Sequence, residues 1–392
     1  MQRSKKRFIY THTIIISIAS LLFIVFIMPF LFWFLNPARP LKVFVIDKTT
    51  GSDYREHRSL FWLLKHWKYV QPGTNNFYDE RKDYYGYFPE DTVFSSVSQL
   101  QLHQTDLLYL TDTYGVYGYP MEYDRYERLL PEVYIPTALK YGGLTGVEMD
   151  EIERYDSFGR MAIAEFNTLE DPQLEDRTNQ RRLEQMFGVR YTGALGRYYD
   201  NLNTAARWMK DMYELQYRMP WDFSGRGLII SITRDTSDTR PGVVILESKD
   251  LAHTPIFLRN SGHRFLSKTE DEVPYYFFFE FLDVDSSASV IARFEIHCET
   301  SGSEKMLAAG LPQTFPAVVV SGASDRKLYF AGDFADNNVE TMLTEYWNAE
   351  LLLSKLFSFY FVSDQTRFFW KFYLPMMDRI FQQASEQQQH SH

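Results

Sequence analysis

Acidic and amide side chains follow short apolar runs at several points of this sequence, and they are the residues best suited to chemistry. The apolar run at 161–164 is followed by Glu165 and Asn167. Two earlier apolar runs end in the same way, at Asp47 and at Asp112. A strand of a parallel sheet is apolar because both faces are covered, and doubly wound sheets bind ligands beyond the carboxyl ends of their strands. These runs therefore predict a parallel sheet with a polar site at one edge.

Three further polar residues are expected to reach the same edge. Asp333 and Asp336 follow an apolar run late in the chain, and Arg197 stands among glycines and tyrosines in a segment typical of a loop. The interpretation that we prefer for Arg197 is that its guanidinium stacks on neighbouring tyrosine rings and holds the loop. The candidate site of this sequence consists of Asp47, Asp112, Glu165, Asn167, Arg197, Asp333 and Asp336.

Converging carboxylates allow two kinds of chemistry. Two carboxyl groups in different environments can act as general acid and base, and several together can hold a hard cation. Acids at strand ends also often cap helices or bind loop amides, and we prefer this structural role, so no catalytic residue is assigned. The histidines show neither HxH nor HExxH spacing. We therefore expect no metal site and no cofactor.

The single cysteine, Cys298, excludes an internal disulfide. It lies in a segment typical of a strand and is not flanked by glycines, so a sharp nucleophile turn is not predicted there. His297 is its neighbour, and adjacent side chains of a strand point to opposite faces, so the two do not form a catalytic pair.

The charge of the chain limits its partners. The formal net charge is -10, and because the first forty residues carry five basic residues and no acid, the remainder carries -15. A body this acidic is a poor match for nucleic acid. Neutral saccharides and proteins of the cell envelope remain as expected partners, together with the membrane.

An uncharged apolar run at 13–35 is long enough to cross a bilayer as a helix. The basic residues within 1–12 predict a cytoplasmic amino terminus, which places the main domain outside the cytoplasm as a single-pass membrane protein. A cleaved signal peptide is the alternative, but the apolar run is too long for one and lacks a small-residue cleavage site.

The rest of the chain is expected to form one α/β domain at 41–337 and a helical segment at 338–386. Thr145 and Glu148 have the spacing of a capping box and predict a helix that starts beside them. The second half of the domain is rich in predicted strands, and a separate β subdomain is the alternative. The aromatic helices near the carboxyl terminus are expected to cover the sheet, with an interfacial or partner-binding belt as the alternative.

Four features in this order resemble the class I glutamine amidotransferase-like superfamily, in particular its trehalose-utilisation-like branch. They are an early KVFVI strand, a DLLYLTD strand, a GG-bearing helix that leads into an apolar strand, and a late FPAVVVSG and LYFAGDF hairpin. The resemblance covers 41–337 and implies a flavodoxin-like doubly wound mixed sheet. Amidotransferases of this group use a cysteine at a sharp strand-to-helix turn. This sequence carries Glu165, Phe166 and Asn167 at the corresponding strand end, so amide hydrolysis by a thiol is not expected.

Two functions follow as expectations. The preferred one is a membrane-anchored, non-catalytic binding or assembly domain of the cell envelope that acts in polysaccharide export or modification. The alternative is an anchored hydrolase that uses strand-end carboxylates on a saccharide. Carboxyl groups of Glu165 and of Asp333 or Asp336 at glycosidase spacing, roughly 5 to 9.5 Å, in an open cleft would favour the hydrolase.

Overall fold

Short apolar runs of the sequence form most of the central strands, because a strand covered on both faces exposes few polar side chains. The structure is a computed structural model of the 392-residue chain, and it describes residues 2–117, 139–170, 177–232, 242–253, 256–337, 344–346 and 364–390. The strands are β1 (Arg39–Pro40), β2 (Val43–Asp47), β3 (Tyr69–Val70), β4 (Tyr85–Phe88), β5 (Val93–Phe94), β6 (Leu107–Asp112), β7 (Val116–Tyr117), β8 (Leu139–Tyr141), β9 (Met161–Glu165), β10 (Val189–Tyr199), β11 (Gly227–Ile232), β12 (Gly242–Glu247), β13 (Ile256–Asn260), β14 (Glu272–Tyr275), β15 (Phe279–Val284), β16 (Ser289–Glu295), β17 (Thr314–Ser321) and β18 (Lys327–Phe330).

Helices lie between and after these strands. They are α1 (Gln2–Leu22), α2 (Met28–Leu35), α3 (Arg58–His66), α4 (Gly146–Ser157), α5 (Thr178–Phe187), α6 (Arg207–Tyr217), α7 (Thr300–Ala308), α8 (Asp364–Phe368) and α9 (Leu374–His390), with π-helical segments at Phe23–Ile27 and Phe369–Tyr373. The predicted capping box opens α4: the backbone N–H of Thr145 donates to Glu148 Oε2 at 2.7 Å, and the N–H of Glu148 donates to Thr145 Oγ1 at 3.3 Å. The sequence thus placed the start of this helix correctly.

The main sheet has ten strands in the order β14-β13-β16-β17-β18-β9-β6-β2-β4-β5. The stretch from β18 to β4 is parallel, and the strands outside it pair antiparallel. All residues of β6 and β9 are buried, as expected for strands covered on both faces. The expected mixed α/β fold with a large mixed sheet is confirmed. The carboxyl ends of β2, β6, β9 and β18 consequently lie at one edge.

A second sheet, in the order β12-β11-β10-β15, is antiparallel throughout. Its apolar residues Leu228, Ile230 and Leu246 belong to the same continuous core as Val45 of the main sheet. The segment around Arg197, which the sequence predicted as a loop, is part of β10. The close backbone approach expected there occurs at Gly196, where a Cβ atom would lie 2.7 Å from the Phe279 ring.

The helices at the carboxyl terminus cover the main sheet, as predicted. Their five clustered aromatic side chains are buried in the core, which contradicts the alternative of an interfacial belt: they are Phe368, Phe369, Trp370, Phe372 and Tyr373. The helix predicted at 338–361 lies outside the described residues except for a short 3-10 turn, Thr344–Tyr346.

The apolar run at 13–35 does not form one long apolar helix. It is divided among α1, the π-helical segment and α2, and α1 begins with four basic residues, Arg3, Lys5, Lys6 and Arg7. Within the ranges described above, no helix is both long and apolar enough to cross a bilayer. The predicted transmembrane anchor is therefore wrong, and so is the single-pass membrane localisation that depended on it. At the end of α2, buried Trp33 donates its Nε1–H to the carbonyl oxygen of His66 at 2.8 Å.

Candidate functional site

The candidate site lies at the point of the parallel sheet where the strands that follow β2 pair on its two opposite sides. The connection after β2 leads to β4 on one side, and the next parallel strand, β6, pairs with β2 on the other. Ligands of doubly wound sheets bind at such a switch point, beyond the carboxyl ends of the strands. Asp47 and Asp112, the last residues of β2 and β6, are paired across this point.

Asp112 ties the ends of three strands together. Its carboxylate accepts hydrogen bonds from Thr49 Oγ1, from the N–H of Tyr114 at 2.8 Å and from the side-chain amide of Asn167 at 3.0 Å. Burial, followed by the negative charge of Glu56, raises the pKa of Asp112 well above its usual range. Asn167 has a φ of 68°, a left-handed conformation that asparagine adopts more readily than most residues. These contacts give Asp112 and Asn167 a structural role at the edge.

The carboxylate of Asp47 contacts a histidine, His57, that the sequence analysis did not single out. Its Oδ2 lies 2.6 Å from Nδ1 of His57, and Nε2 of the same ring lies 2.8 Å from the carbonyl oxygen of Glu80. A carbonyl oxygen only accepts, so Nε2 donates to Glu80. Both side chains are fully buried. The pair anchors the segment after β2.

Glu165, at the end of β9, is enclosed. Its Oε2 accepts from the Tyr109 hydroxyl at 2.9 Å, and its Oε1 lies 3.4 Å from the N–H of Ala335. The Tyr109 hydroxyl is also 3.0 Å from the Tyr373 hydroxyl, which comes from the π-helical segment near the carboxyl terminus. Burial raises the pKa of Glu165 well above its usual range. The carboxyl group that the sequence placed at the centre of the site therefore has no free face toward a ligand.

Three other carboxylates converge beside it. Glu56, Asp333 and Asp336 each place one oxygen so that all three oxygens lie within 4.8 Å of one another. We call this group the carboxylate triad. Glu56 comes from the 3-10 turn that precedes α3, whereas the two aspartates follow β18.

In the described part of the chain, one arginine contacts the carboxylate triad. Arg55 Nη2 lies 2.7 Å from Glu56 and Arg55 Nε lies 3.2 Å from Asp336, and the Arg55 side chain is 50% exposed. Burial, followed by the charge of Glu56, raises the pKa of Asp336 to about 7, although Arg55 opposes the shift. Burial and the charges of Asp336 and Glu56 raise the pKa of Asp333 well above its usual range. Three acids thus share a poorly compensated site.

Arg197 does not form an ion pair within hydrogen-bond distance in the described part of the chain. Its guanidinium lies 4.9 Å from the ring of Phe278 and 5.3 Å from the ring of Tyr199, and its positive charge lowers the pKa of Asp336 from a distance. It therefore stacks on aromatic rings, the role preferred from the sequence, while standing near the carboxylate triad.

Glu56, Arg55 and His57 are the residues that sequence reasoning missed. They stand in the polar stretch between β2 and α3, where charged residues are ordinarily exposed. Their only signal was the adjacency of three ionisable residues at the start of a helix, which is too common to single them out. In the structure Glu56 and His57 are buried.

Cys298 lies apart from these residues, in an isolated bridge with Leu251. Burial and the charge of Asp250 raise the pKa of its thiol to about 11. A thiol with a raised pKa carries little thiolate at neutral pH and is a poor nucleophile.

Comparisons with known proteins found distant similarity to ThuA-like proteins among solved structures. No family model and no curated protein matches it. A crystal structure of a ThuA-like protein from Bacteroides uniformis is 9% identical, with a TM-score of 0.35, and the match covers 79% of this chain and 89% of that one. A ThuA-like protein from Parabacteroides merdae is 10% identical, with a TM-score of 0.34 and coverage of 75% and 79%. Both neighbours are described as ThuA-like, which is consistent with the trehalose-utilisation-like resemblance.

Proposed function

We propose that this chain is a binding protein with a flavodoxin-like, amidotransferase-like α/β domain, and that it takes a neutral, polyhydroxylated ligand of the saccharide class at the carboxyl edge of its parallel strands. The order of the parallel strands, β4-β2-β6-β9-β18, corresponds to the 2-1-3-4-5 order of flavodoxin-like sheets and supports this placement of the site. The proposal does not include a membrane anchor.

The observation that carries the proposal is the position of the carboxylate triad. The other acids predicted for this edge, Asp47, Asp112 and Glu165, have their oxygens engaged by protein donors. The carboxylate triad instead stands beside the half-exposed Arg55, which gives the site both acceptors and a donor for ligand hydroxyls. Polar groups that converge at a strand edge are the usual means by which small-molecule sites orient a ligand.

The charge of the chain favours a neutral ligand. Residues beyond the first forty carry a formal charge of -15, and the carboxylate triad adds local negative potential at the site itself. An anionic ligand would be repelled by both, because like charges in a poorly solvated site interact strongly. A role in polysaccharide handling remains the process that we propose, supported by this charge alone.

Catalysis is not part of the proposal. The strand end where amidotransferases of the resembled group carry a cysteine holds Asn167, and Cys298 has a raised pKa. For a glycoside hydrolase, Glu165 is enclosed, because the Tyr109 hydroxyl and the N–H of Ala335 face its two oxygens. A glycosidase pair therefore has less support than a binding site.

Isothermal titration calorimetry with a panel of neutral and uronic-acid-containing oligosaccharides tests the proposal. We expect binding from the neutral members only, and at least tenfold weaker binding by Asp336→Asn. Asp283→Asn is the matched control, since Asp283 is an exposed acid of the second sheet that pairs with Arg190. Binding of the anionic saccharides alone, no binding of any neutral one, or equal affinity of Asp336→Asn and parent would refute the proposal.

A further inference from the structure

We propose that Arg197 is a second hydrogen-bond donor of the proposed saccharide site, and that its guanidinium binds an acceptor oxygen of the ligand. The inference rests on the proposed function, because it names a binding residue of that same site. It gives a role to a side chain that the protein stacks on aromatic rings. Arg55 would then share the ligand with a residue of the second sheet.

Contacts made through Phe278 place Arg197 at the carboxyl edge of the parallel strands. The Arg197 guanidinium lies 4.9 Å from the Phe278 ring, and the carbonyl oxygen of Phe278 accepts from the N–H of Asp333 at 3.0 Å. On Phe278 also stacks Phe166, with 5.7 Å between the ring centroids. Phe166 directly follows β9, and Asp333 follows β18. Arg197 therefore lies beside the ends of two neighbouring parallel strands, although it belongs to β10.

The Nε–H donor of Arg197 is not used by the protein. The Nε atom is buried, and within the described ranges it has no hydrogen-bond partner. Arginine carries five N–H donors and keeps its charge in proteins. A buried donor without an acceptor has lost its hydration and gained nothing in return. A ligand oxygen would supply the missing acceptor.

Arg264, another arginine that lies on an aromatic ring, differs from Arg197 in this respect. Its guanidinium lies 5.0 Å from the Phe265 ring. It also donates to the carbonyl oxygen of Ser324 at 2.7 Å and pairs with Asp325 at 2.9 Å. Contact with a ring thus does not prevent an arginine from finding protein acceptors. The free Nε–H of Arg197 is therefore a property of its position and not of the stacking.

The aromatic rings hold the Arg197 guanidinium in place before a ligand arrives. It lies 5.3 Å from the ring of Tyr199, which is buried, and 4.9 Å from that of Phe278. The backbone of Arg197 is paired with Ile229 of β11. A donor that is already ordered loses little conformational entropy when a ligand binds. Its planar fork of donors can reach two neighbouring oxygens, such as those of adjacent hydroxyl groups on a sugar ring.

The nearby carboxylates favour a hydroxyl group over an anion as the partner of Arg197. The positive charge of Arg197 acts on Asp336, and in the described part of the chain the two side chains do not form an ion pair. A ligand hydroxyl accepts from a guanidinium through its oxygen and donates its own hydrogen to a carboxylate. A carboxylate or phosphate ligand would fit the donors of Arg197, but the carboxylate triad would repel it.

The experiment uses isothermal titration calorimetry of the full-length parent and of two Arg197 variants with the neutral trisaccharides maltotriose, cellotriose and triacetylchitotriose. Arg197→Met keeps a long side chain against the rings but has no donor. It should bind at least about tenfold more weakly, the loss expected for one hydrogen bond to a charged group. Arg197→Lys keeps the charge but lacks the planar fork, so it should also bind more weakly than the parent.

A control variant and a stability measurement separate binding from a structural role. Arg264→Met removes a ring-stacked guanidinium whose acceptors belong to the protein, and it should retain the affinity of the parent. Without saccharide, Arg197→Met should unfold at a midpoint no lower than that of Arg264→Met, because it loses neither a hydrogen bond of Nε nor an ion pair within the described residues. A midpoint well below that of Arg264→Met would assign Arg197 a structural role and overturn the proposal.

The binding data distinguish failure of this inference from failure of the proposed function. A parent that binds none of the three trisaccharides would overturn the proposed function, and the role of Arg197 with it. Binding that Asp336→Asn weakens, while Arg197→Met and Arg197→Lys match the parent, would overturn the role of Arg197 alone.

Discussion

Two buried groups of charged residues lie near the same sheet edge, and they differ in the donors that surround them. Glu148 accepts from Lys48 Nζ and from the Tyr85 hydroxyl, each at 2.7 Å, and from the N–H of Thr145 at 2.7 Å. Although burial acts to raise the pKa of Glu148, Lys48 and these donors outweigh it and lower the pKa. The carboxylate triad has three acids and one partly exposed arginine.

The difference shows how completely the protein pairs its own buried charges in each group. Around Glu148 the protein itself supplies the partners, so the group is complete and stabilises the turn after β2. In the carboxylate triad three acids share the described contacts of Arg55, so the charges of the group are less completely paired. The position of an acid at a strand end therefore does not say how completely its charge is paired.

The largest expected effect comes from removing Lys48, the positively charged partner of buried Glu148. Lys48→Met leaves Glu148 buried without its ion-pair partner and should lower the free energy of unfolding by about 3–5 kcal/mol. Urea denaturation measures this loss. Lys327→Met is the matched control: its ion pair with Asp156, at 2.8 Å, is partly exposed, and its loss should cost less than about 1 kcal/mol. Equal losses in the two variants would contradict the comparison.

A pH effect of intermediate size is expected from Glu280, a buried acid that has a hydroxyl donor and, among the described residues, no ion-pair partner. Tyr329 donates to its carboxyl group, and burial raises the pKa of Glu280 from 4.5 to about 8. Between these values the folded state binds more protons than the unfolded state, so this stabilising contribution is complete below about pH 4.5 and is lost as the pH rises through about 8.

Glu280→Gln should therefore remove part of the decline in stability between pH 5 and pH 8, at most about 1.4 kcal/mol per pH unit. Urea denaturation of parent and variant at several pH values measures the two slopes. If the slopes are the same, Glu280 ionises in the folded state as it does in the unfolded chain.

The smallest effect is expected at Glu165, which keeps a second donor when one is removed. Tyr109→Phe deletes the hydroxyl 2.9 Å from Oε2 and leaves the weaker contact with the N–H of Ala335. The expected cost is about 1–2 kcal/mol, measured by thermal or urea unfolding. Tyr373→Phe, which removes only the outer hydroxyl of this network, should cost less. If Tyr109→Phe is as stable as the parent, Glu165 does not depend on its donors.

Several features were predictable because they depend on local sequence. The apolar runs of β6 and β9 predicted strands covered on both faces, and all residues of both are buried. The capping box at Thr145 located the start of α4, since it requires only residues three apart. The FPAVVVSG and LYFAGDF segments pair antiparallel as β17 and β18, as expected of a hairpin.

Other expectations failed because contacts between distant segments, or the composition and length of a whole helix, determined the local structure. The apolar run at 13–35 has enough residues to cross a bilayer. In the structure, however, it is divided among several helical segments, and the first of these also contains basic residues. The predicted loop at Arg197 became part of β10, because pairing with β11 and β15 on both sides satisfies its backbone. Propensity is a weak guide when tertiary pairing competes with it.

By itself, the sequence determined the parallel strands, their polar carboxyl ends and the acidic charge of the chain, because each depends on neighbouring residues or on composition. Only the tertiary structure decided which acids meet. Glu56 comes from the start of the domain sequence, whereas Asp333 and Asp336 come from its end. Tyr109 and Tyr373, which enclose Glu165, also come from two segments that are distant in the sequence. Whether a buried carboxylate has a donor depends on residues far away along the chain, so no local pattern records it.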